Sequence, residues 1–127
     1  MVFRNPESIH SPLASYSHQA EICNTAKWLI ISAQIGMDKN GFIPEDVISQ
    51  IEIAFDNITQ NLKAANMEKN DLVKLVFYFV GSHDVEQRRN IVRRILGEHK
   101  PCMTVIYVAG LATEALKVEI DAWACKV

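Results

Sequence analysis

The sequence predicts an α+β fold, a single mixed sheet with two helices packed on one of its faces. Three observations lead there. The patterns run in the order hairpin, helix, strand, helix and two further strands. Only two segments have helical periodicity, too few to cover both faces of such a sheet. Segments 28–35 and 72–80 are apolar nearly throughout, which marks strands covered on both sides. The face without helices should then be apolar and open, so an oligomer that buries it is expected.

Residues 1–15 are polar, with Pro6 and Pro12 breaking any regular pattern, although Val2 and Phe3 suit a short edge strand. Residues 16–22 read as a strand. Cys23, Asn24 and Thr25 read as a turn, and residues 28–35 as the second strand of a hairpin. Ser32 and Gln34 interrupt that strand, either as polar side chains paired with backbone or, for Ser32, as part of a pocket wall. Asp38, Lys39, Asn40 and Gly41 form a turn.

Residues 44–65 are the clearest helix. Pro44 suits a first turn, and Glu45 and Asp46 complement the positive end of the dipole. Val47, Ile48, Ile51, Phe55, Ile58, Leu62 and Ala65 make an apolar stripe, with Glu52, Asp56, Gln60 and Lys63 opposite. Asn66 suits a left-handed C-terminal cap. Residues 72–80 should be a central strand, ended by Gly81. Asp84, with Gln87 three residues on, caps a second helix. Val85, Ile91, Val92, Ile95 and Leu96 give that helix its buried stripe, and Gly97 closes it.

Pro101 forces Lys100 toward extended geometry and opens a strand over 103–109, so Cys102, Met103 and Thr104 stand at a strand mouth. Residues 110–114 turn. In the last strand, 116–124, Leu116, Val118, Ile120 and Ala122 alternate with Lys117, Glu119, Asp121 and Trp123.

A chain of 127 residues is read as one domain, 1–127, with 49% hydrophobic and 22% charged residues fitting a soluble globular class. The net charge of -2 argues against a nucleic-acid partner. Arg88, Arg89, Arg93 and Arg94 cluster on the second helix and read mainly as a solvated face. Cys23, Cys102 and Cys125 offer neither a disulfide framework nor a zinc pattern, and the four histidines show no metal-ligand spacing. No apolar run is long enough for a membrane span and no leader is visible, so the cytoplasm is the expected location. The Asn57-Ile58-Thr59 sequon lies inside a helix and is discounted.

Tyr16-Ser17-His18, the stretch 29–35 (LIISAQI), the helix end 63–66 (KAAN), the strand 72–77 (LVKLVF), the loop 97–101 (GEHKP) and 118–122 (VEIDA) together resemble the reactive intermediate deaminase family, the Rid or YjgF type. That family has also been labelled translation inhibitor and endoribonuclease L-PSP. The resemblance covers nearly the whole chain, in order. It implies a chorismate-mutase-like homotrimer around a central barrel, with pockets for a small molecule between neighbouring subunits. It also implies water addition to an enamine or imine, releasing ammonia and a 2-oxo acid, without a cofactor.

Carried over from the resemblance, Tyr16, Ser32 and Glu119 take the catalytic positions, with Glu119 holding the attacking water. Ala33 replaces a glycine beside the ligand, and Thr104 matches a small hydroxylic residue. The family's carboxylate-binding arginine falls at Met103. Arg89 stands where an asparagine is common, and Tyr107 where Gln or Glu is usual. The segment between Tyr16 and Ser32 is longer than the family norm. Cys102, Met103 and Tyr107 complete the expected pocket wall.

A guanidinium forks a carboxylate with two charge-assisted hydrogen bonds, and a thioether offers no donor. The standard 2-imino acid reaction should therefore be crippled. Three readings follow: a different, uncharged or apolar ligand; another cation, from Arg89, His18 or Lys100; or a trimer that binds without turnover. For Arg89 the solvated face is the preferred reading. His99 should order its loop, His18 is read as a hydrogen-bonded strand histidine, and Cys23 and Cys125 as packing residues.

Overall fold

The computed structural model describes residues 1–12, 14–22 and 25–127. Strands β1 (Val2–Arg4), β2 (Gln19–Glu21) and β3 (Lys27–Ile35) precede helix α1 (Val47–Ala64). Then come β4 (Leu72–Phe79), helix α2 (Val85–Leu96), β5 (Cys102–Tyr107) and β6 (Val118–Lys126). The main sheet has the order β3-β6-β4-β5. Only β4 and β5 are parallel, joined through α2; the other pairs are antiparallel. The mixed sheet with both helices on one face is as the sequence predicts.

The expected hairpin does not form. β2 leaves β3 and pairs with β1, Phe3 opposite Ala20. The reason lies just upstream. Ser17 is buried, its amide donates to the Pro101 carbonyl at 3.0 Å, and its hydroxyl donates to the Lys100 carbonyl. These bonds fasten residues 16–18 onto the mouth of β5 and leave only three residues for a strand. His18 consequently lies outside any strand. The turn expected at Cys23 and Asn24, and the packing role expected for Cys23, lie outside the described residues.

Helix α1 starts at Val47 rather than Pro44. Asp46 is the cap, accepting from the Ser49 amide at 2.8 Å. That bond, and then one from the Ser49 side chain, lowers the Asp46 pKa. At the other end Asn66 is left-handed, φ 58°. Its amide reaches the Lys63 carbonyl, and the Met67 amide the Leu62 carbonyl at 2.9 Å, a Schellman closure. In α2, Asp84 accepts from the Gln87 amide at 3.0 Å, and Gly97 closes the helix at φ 62°.

The apolar stripe of α1 contains one polar member that periodicity did not single out. Gln50 is fully buried. Its amide donates to the carbonyls of Pro44 (2.8 Å) and Ala115 (2.9 Å), and its Oε1 accepts from the Lys117 amide at 2.8 Å. The helix start is thereby tied to the loop that leads into β6. Gly36 lies against this residue; a Cβ there would meet Gln50 Cβ at 2.4 Å.

Ile31, Leu75, Phe77, Phe79, Val118, Ile120, Ala122 and Ala124 face the helices and form the core with Ile51, Phe55, Ile58, Leu62 and Val92. β4 is central and buried nearly throughout. β3 departs from the expectation of two covered faces: it is an edge strand, with Trp28 51% and Ile30 64% exposed. These side chains, with Ile106 at 40%, make the helix-free face apolar and open. Among the described residues no helix is long and apolar enough to cross a membrane.

Candidate functional site

The candidate residues gather in two regions, one on each face of the main sheet. The first is a groove on the helix side, between α2 and β5. It is a cavity of about 310 Å³ lined by Tyr16, Phe77, Arg88, Arg89, Val92, Met103 and Val105, among others. Strand geometry explains the wall. Met103 pairs with Leu75 and Val105 with Phe77, so each shares the helix-facing side with a core residue. Tyr16 enters because Ser17 is pinned to the strand mouth. Its ring also meets His18 edge-on at 5.4 Å, and His18 Nε2 bonds the His10 carbonyl at 2.8 Å.

Two guanidiniums come from α2. Arg88 is tightly held: its Nη1 donates to the Tyr107 hydroxyl at 3.0 Å and to His83 Nε2 at 3.1 Å, and it lies over the Phe79 ring at 5.4 Å. Because Nε2 accepts, the neutral imidazole carries its proton on Nδ1, which is buried without a partner among the described residues. Burial, and then the Arg88 charge, push the His83 pKa down. Arg89 is loosely held. Its Nη1 lies 3.6 Å from Glu86, and its Nε is buried without a partner among the described residues.

The second region is on the open face. Glu119 sits opposite Tyr78 on one side and Ile35 on the other. Burial, and then the neighbouring Asp121 charge, raise its pKa. The Tyr78 hydroxyl donates to Asp121 at 3.1 Å, which raises the phenol pKa. Ser32 and Ala33 fall in the register shift between Ile31 and Gln34, with Ser32 exposed. Lys74 Nζ donates to Thr104 Oγ1 at 2.7 Å. Cys102 lines a separate hollow with Lys74, Trp28 and Trp123, and burial raises its thiol pKa.

Of the residues singled out from sequence, the structure therefore brings Tyr16, Met103 and Arg89 together. Tyr107 is joined to them through Arg88. Ser32, Ala33, Cys102, Thr104 and Glu119 lie on the other side of the sheet within one chain. His99 does order its loop, its Nε2 bonding the Leu72 carbonyl at 2.7 Å, and Cys125 is buried as a packing residue. The solvated-face reading holds for exposed Arg93 and Arg94. Arg88 and Arg89 are half-buried and line the groove.

Residues 7–126 match the family described as endoribonuclease L-PSP. This chain belongs to that family. It is 30% identical over 122 residues to a RutC family protein of Pyrococcus horikoshii, covering 94% of each chain. It is 25% identical over 91 residues to TdcF of Escherichia coli, named as a candidate reactive intermediate deaminase, covering 69% of this chain and 70% of that one. Among solved structures, the Rid family protein YyfB of Yersinia pestis superposes with a TM-score of 0.86 at 25% identity, over 98% of this chain and 97% of that one. E. coli TdcF with bound serine gives 0.74 at 23% identity, over 98% and 94%. The fold of this chain is thus the Rid/YjgF fold.

Within that fold, Arg88 is the groove residue that sequence reasoning passed over. The signal was present: Arg88 lies three residues after Val85 and four before Val92, on the same helical face as the apolar stripe. Phe77, Val92 and Val105 carry only a core or strand signal in the sequence.

Proposed function

We propose that this chain is a Rid-type small-molecule protein that hydrolyses an enamine or imine, or adds water in a related way, to a substrate other than the standard 2-imino acids. The observation that carries this reading is the division of the site. Tyr16 and Met103 line the groove, while Glu119 and Ser32 stand on the open apolar face. A neighbouring copy that seats its open face beside the β5 edge would bring the two halves together, and a homotrimer around a central barrel does so three times.

In that assembly the raised pKa of Glu119, set by burial and then by the Asp121 charge, makes the carboxylate a better proton acceptor, which suits general acid–base work. Water adds to the C=N carbon as Glu119 accepts a water proton. The proton is then passed to nitrogen, giving a carbinolamine; the hydroxyl proton is moved to nitrogen by the same carboxyl, the C–N bond breaks, ammonia leaves and a carbonyl remains. Tyr16 and Ser32 orient the substrate. Met103 gives no hydrogen bond, which supports the exclusion of the standard substrate from its usual pose.

The test is ammonia release from 2-aminoacrylate generated in place by a dehydratase, for wild type, Met103→Arg and Glu119→Gln. The expected pattern is weak activity in the wild type, a gain in Met103→Arg and loss in Glu119→Gln. Wild-type turnover unaffected by Glu119→Gln refutes the mechanism. A second reading, a trimer that binds without turnover, is favoured by the apolar groove wall; ligand-induced melting shifts without ammonia from any imine tried would select it. The net charge of -2 disfavours the ribonuclease reading of the family's older name, and salt-sensitive RNA binding would restore it.

A further inference from the structure

The α2–β5 groove is apolar along most of its wall and cationic along one helix. Phe77, Val92, Met103 and Val105 supply the apolar part; Arg88 and Arg89 supply the charge, and no carboxylate is among the residues that line it. The two arginines are not equivalent. Arg88 is committed to Tyr107, His83 and the Phe79 ring. Arg89 has only a 3.6 Å ion pair with Glu86, a carboxylate whose side chain is 74% exposed. Exposed pairs of this kind hold a side chain weakly. Its buried Nε has no acceptor among the described residues, an unfavourable state that a ligand can relieve.

We infer that Arg89 is the anion anchor of this groove, and that the ligand is a small monoanion, a carboxylate on an apolar body. The inference rests on the reading of the groove as the ligand site. Glu86 occupies Nη1, so the edge formed by Nε and Nη2 is the one left to fork two carboxylate oxygens. A turn of the loosely held side chain brings that edge into the cavity and gives Nε the acceptor it lacks. One uncommitted guanidinium and an apolar wall fit a single negative charge better than a phosphate. The helix thus supplies the cation that the strand, with Met103, does not. The acid group is gripped from the α2 side, which turns the rest of the ligand relative to a strand-held one.

The probes are benzoate and its neutral isostere benzamide, titrated calorimetrically into the full chain, with amide and methyl chemical shifts locating each. Benzoate should shift Val92, Met103 and Val105. Benzamide should bind about 10- to 100-fold more weakly, and Arg89→Gln should weaken benzoate by a similar factor and leave benzamide alone. Arg89→Lys, which keeps the charge and loses the fork, should fall between. Equal groove binding of the two probes, or full benzoate affinity in Arg89→Gln, overturns the anchor and leaves the ligand groove standing. Failure of both probes to shift groove residues overturns the groove reading itself. If Arg89→Gln does not fold, the wild-type ratio of benzoate to benzamide decides.

Discussion

The helix-covered side of the sheet and its open side are built from the same strands, residue by alternate residue. On the covered side, Val118, Ile120, Ala122 and Ala124 are fully buried against α1 and its neighbours. On the open side, the intervening Glu119, Asp121 and Trp123 stay partly accessible beside Trp28, Ile30 and Ile106. Against α1 the covered side is closed within one chain; its polar intruder, Gln50, has three side-chain hydrogen bonds. The open side carries exposed apolar surface and a carboxyl of raised pKa. The packed core is therefore concentrated on one face, and exposed apolar surface on the other.

The largest contrast between the faces should appear on truncation. Ile120→Ala opens a hole in the core and should cost about 2–5 kcal/mol of unfolding free energy. Ile30→Ala removes an exposed side chain and should leave the stability of the isolated chain within about 0.5 kcal/mol. Urea titrations measure both. If the open face is a subunit interface, Ile30→Ala will instead lower the oligomer mass seen by light scattering. Equal losses in the two variants at a dilution that yields monomer would erase the distinction.

The covered side also leaves no room at its edge. Gly36→Ala places a methyl group 2.4 Å from Gln50 Cβ and 2.6 Å from its Cα, so α1 must move. A cost of about 1–3 kcal/mol is expected. The reference is Gly110→Ala, with nothing within 4 Å, which should be near neutral. A thermal melt of Gly36→Ala that matches the wild type would show that α1 is looser than described.

The smallest effect is in pH, and its sign differs between the two regions. Glu119 on the open face has a raised folded-state pKa, so the folded state holds its proton longer. Its contribution to stability is full at pH below the ordinary carboxylate range and is lost as pH rises through the raised value. His83, beside the groove, has a lowered pKa. Its contribution is full above the ordinary imidazole value and is lost as pH falls below it. Each should amount to about half a kcal/mol or less, because both side chains are partly solvated. Urea midpoints across pH, with Glu119→Gln and His83→Gln, isolate the two slopes. Arg88→Gln should raise the His83 pKa in an NMR titration, since Arg88 is one of its two depressing influences.

The helices, the central strand and the cap residues Asp84, Asn66 and Gly97 were legible in the sequence, because each depends on local periodicity or local backbone conformation. The lost hairpin was not. Residues 16–22 carry a reasonable strand pattern, but Ser17 finds its partners at Lys100 and Pro101, more than eighty positions away, and no local rule anticipates that. Strand 28–35 differs for a related reason. Its composition is that of a strand covered on both faces, and within one chain only one face is covered. The candidate site divided in the same manner: resemblance picked out Tyr16, Met103, Ser32 and Glu119, but not that the sheet stands between them.

By itself, the sequence determined the order of elements, the α+β class, the family and the absence of a guanidinium at position 103. These are properties of residue identity and short-range pattern, and they need no coordinates. Which arginines of α2 turn inward, where Tyr16 is fastened, and that Glu119 lies across the sheet from the groove were decided only in three dimensions. Each depends on contacts between residues distant in the chain, whose geometry is set by how strands pair and helices pack rather than by any segment alone.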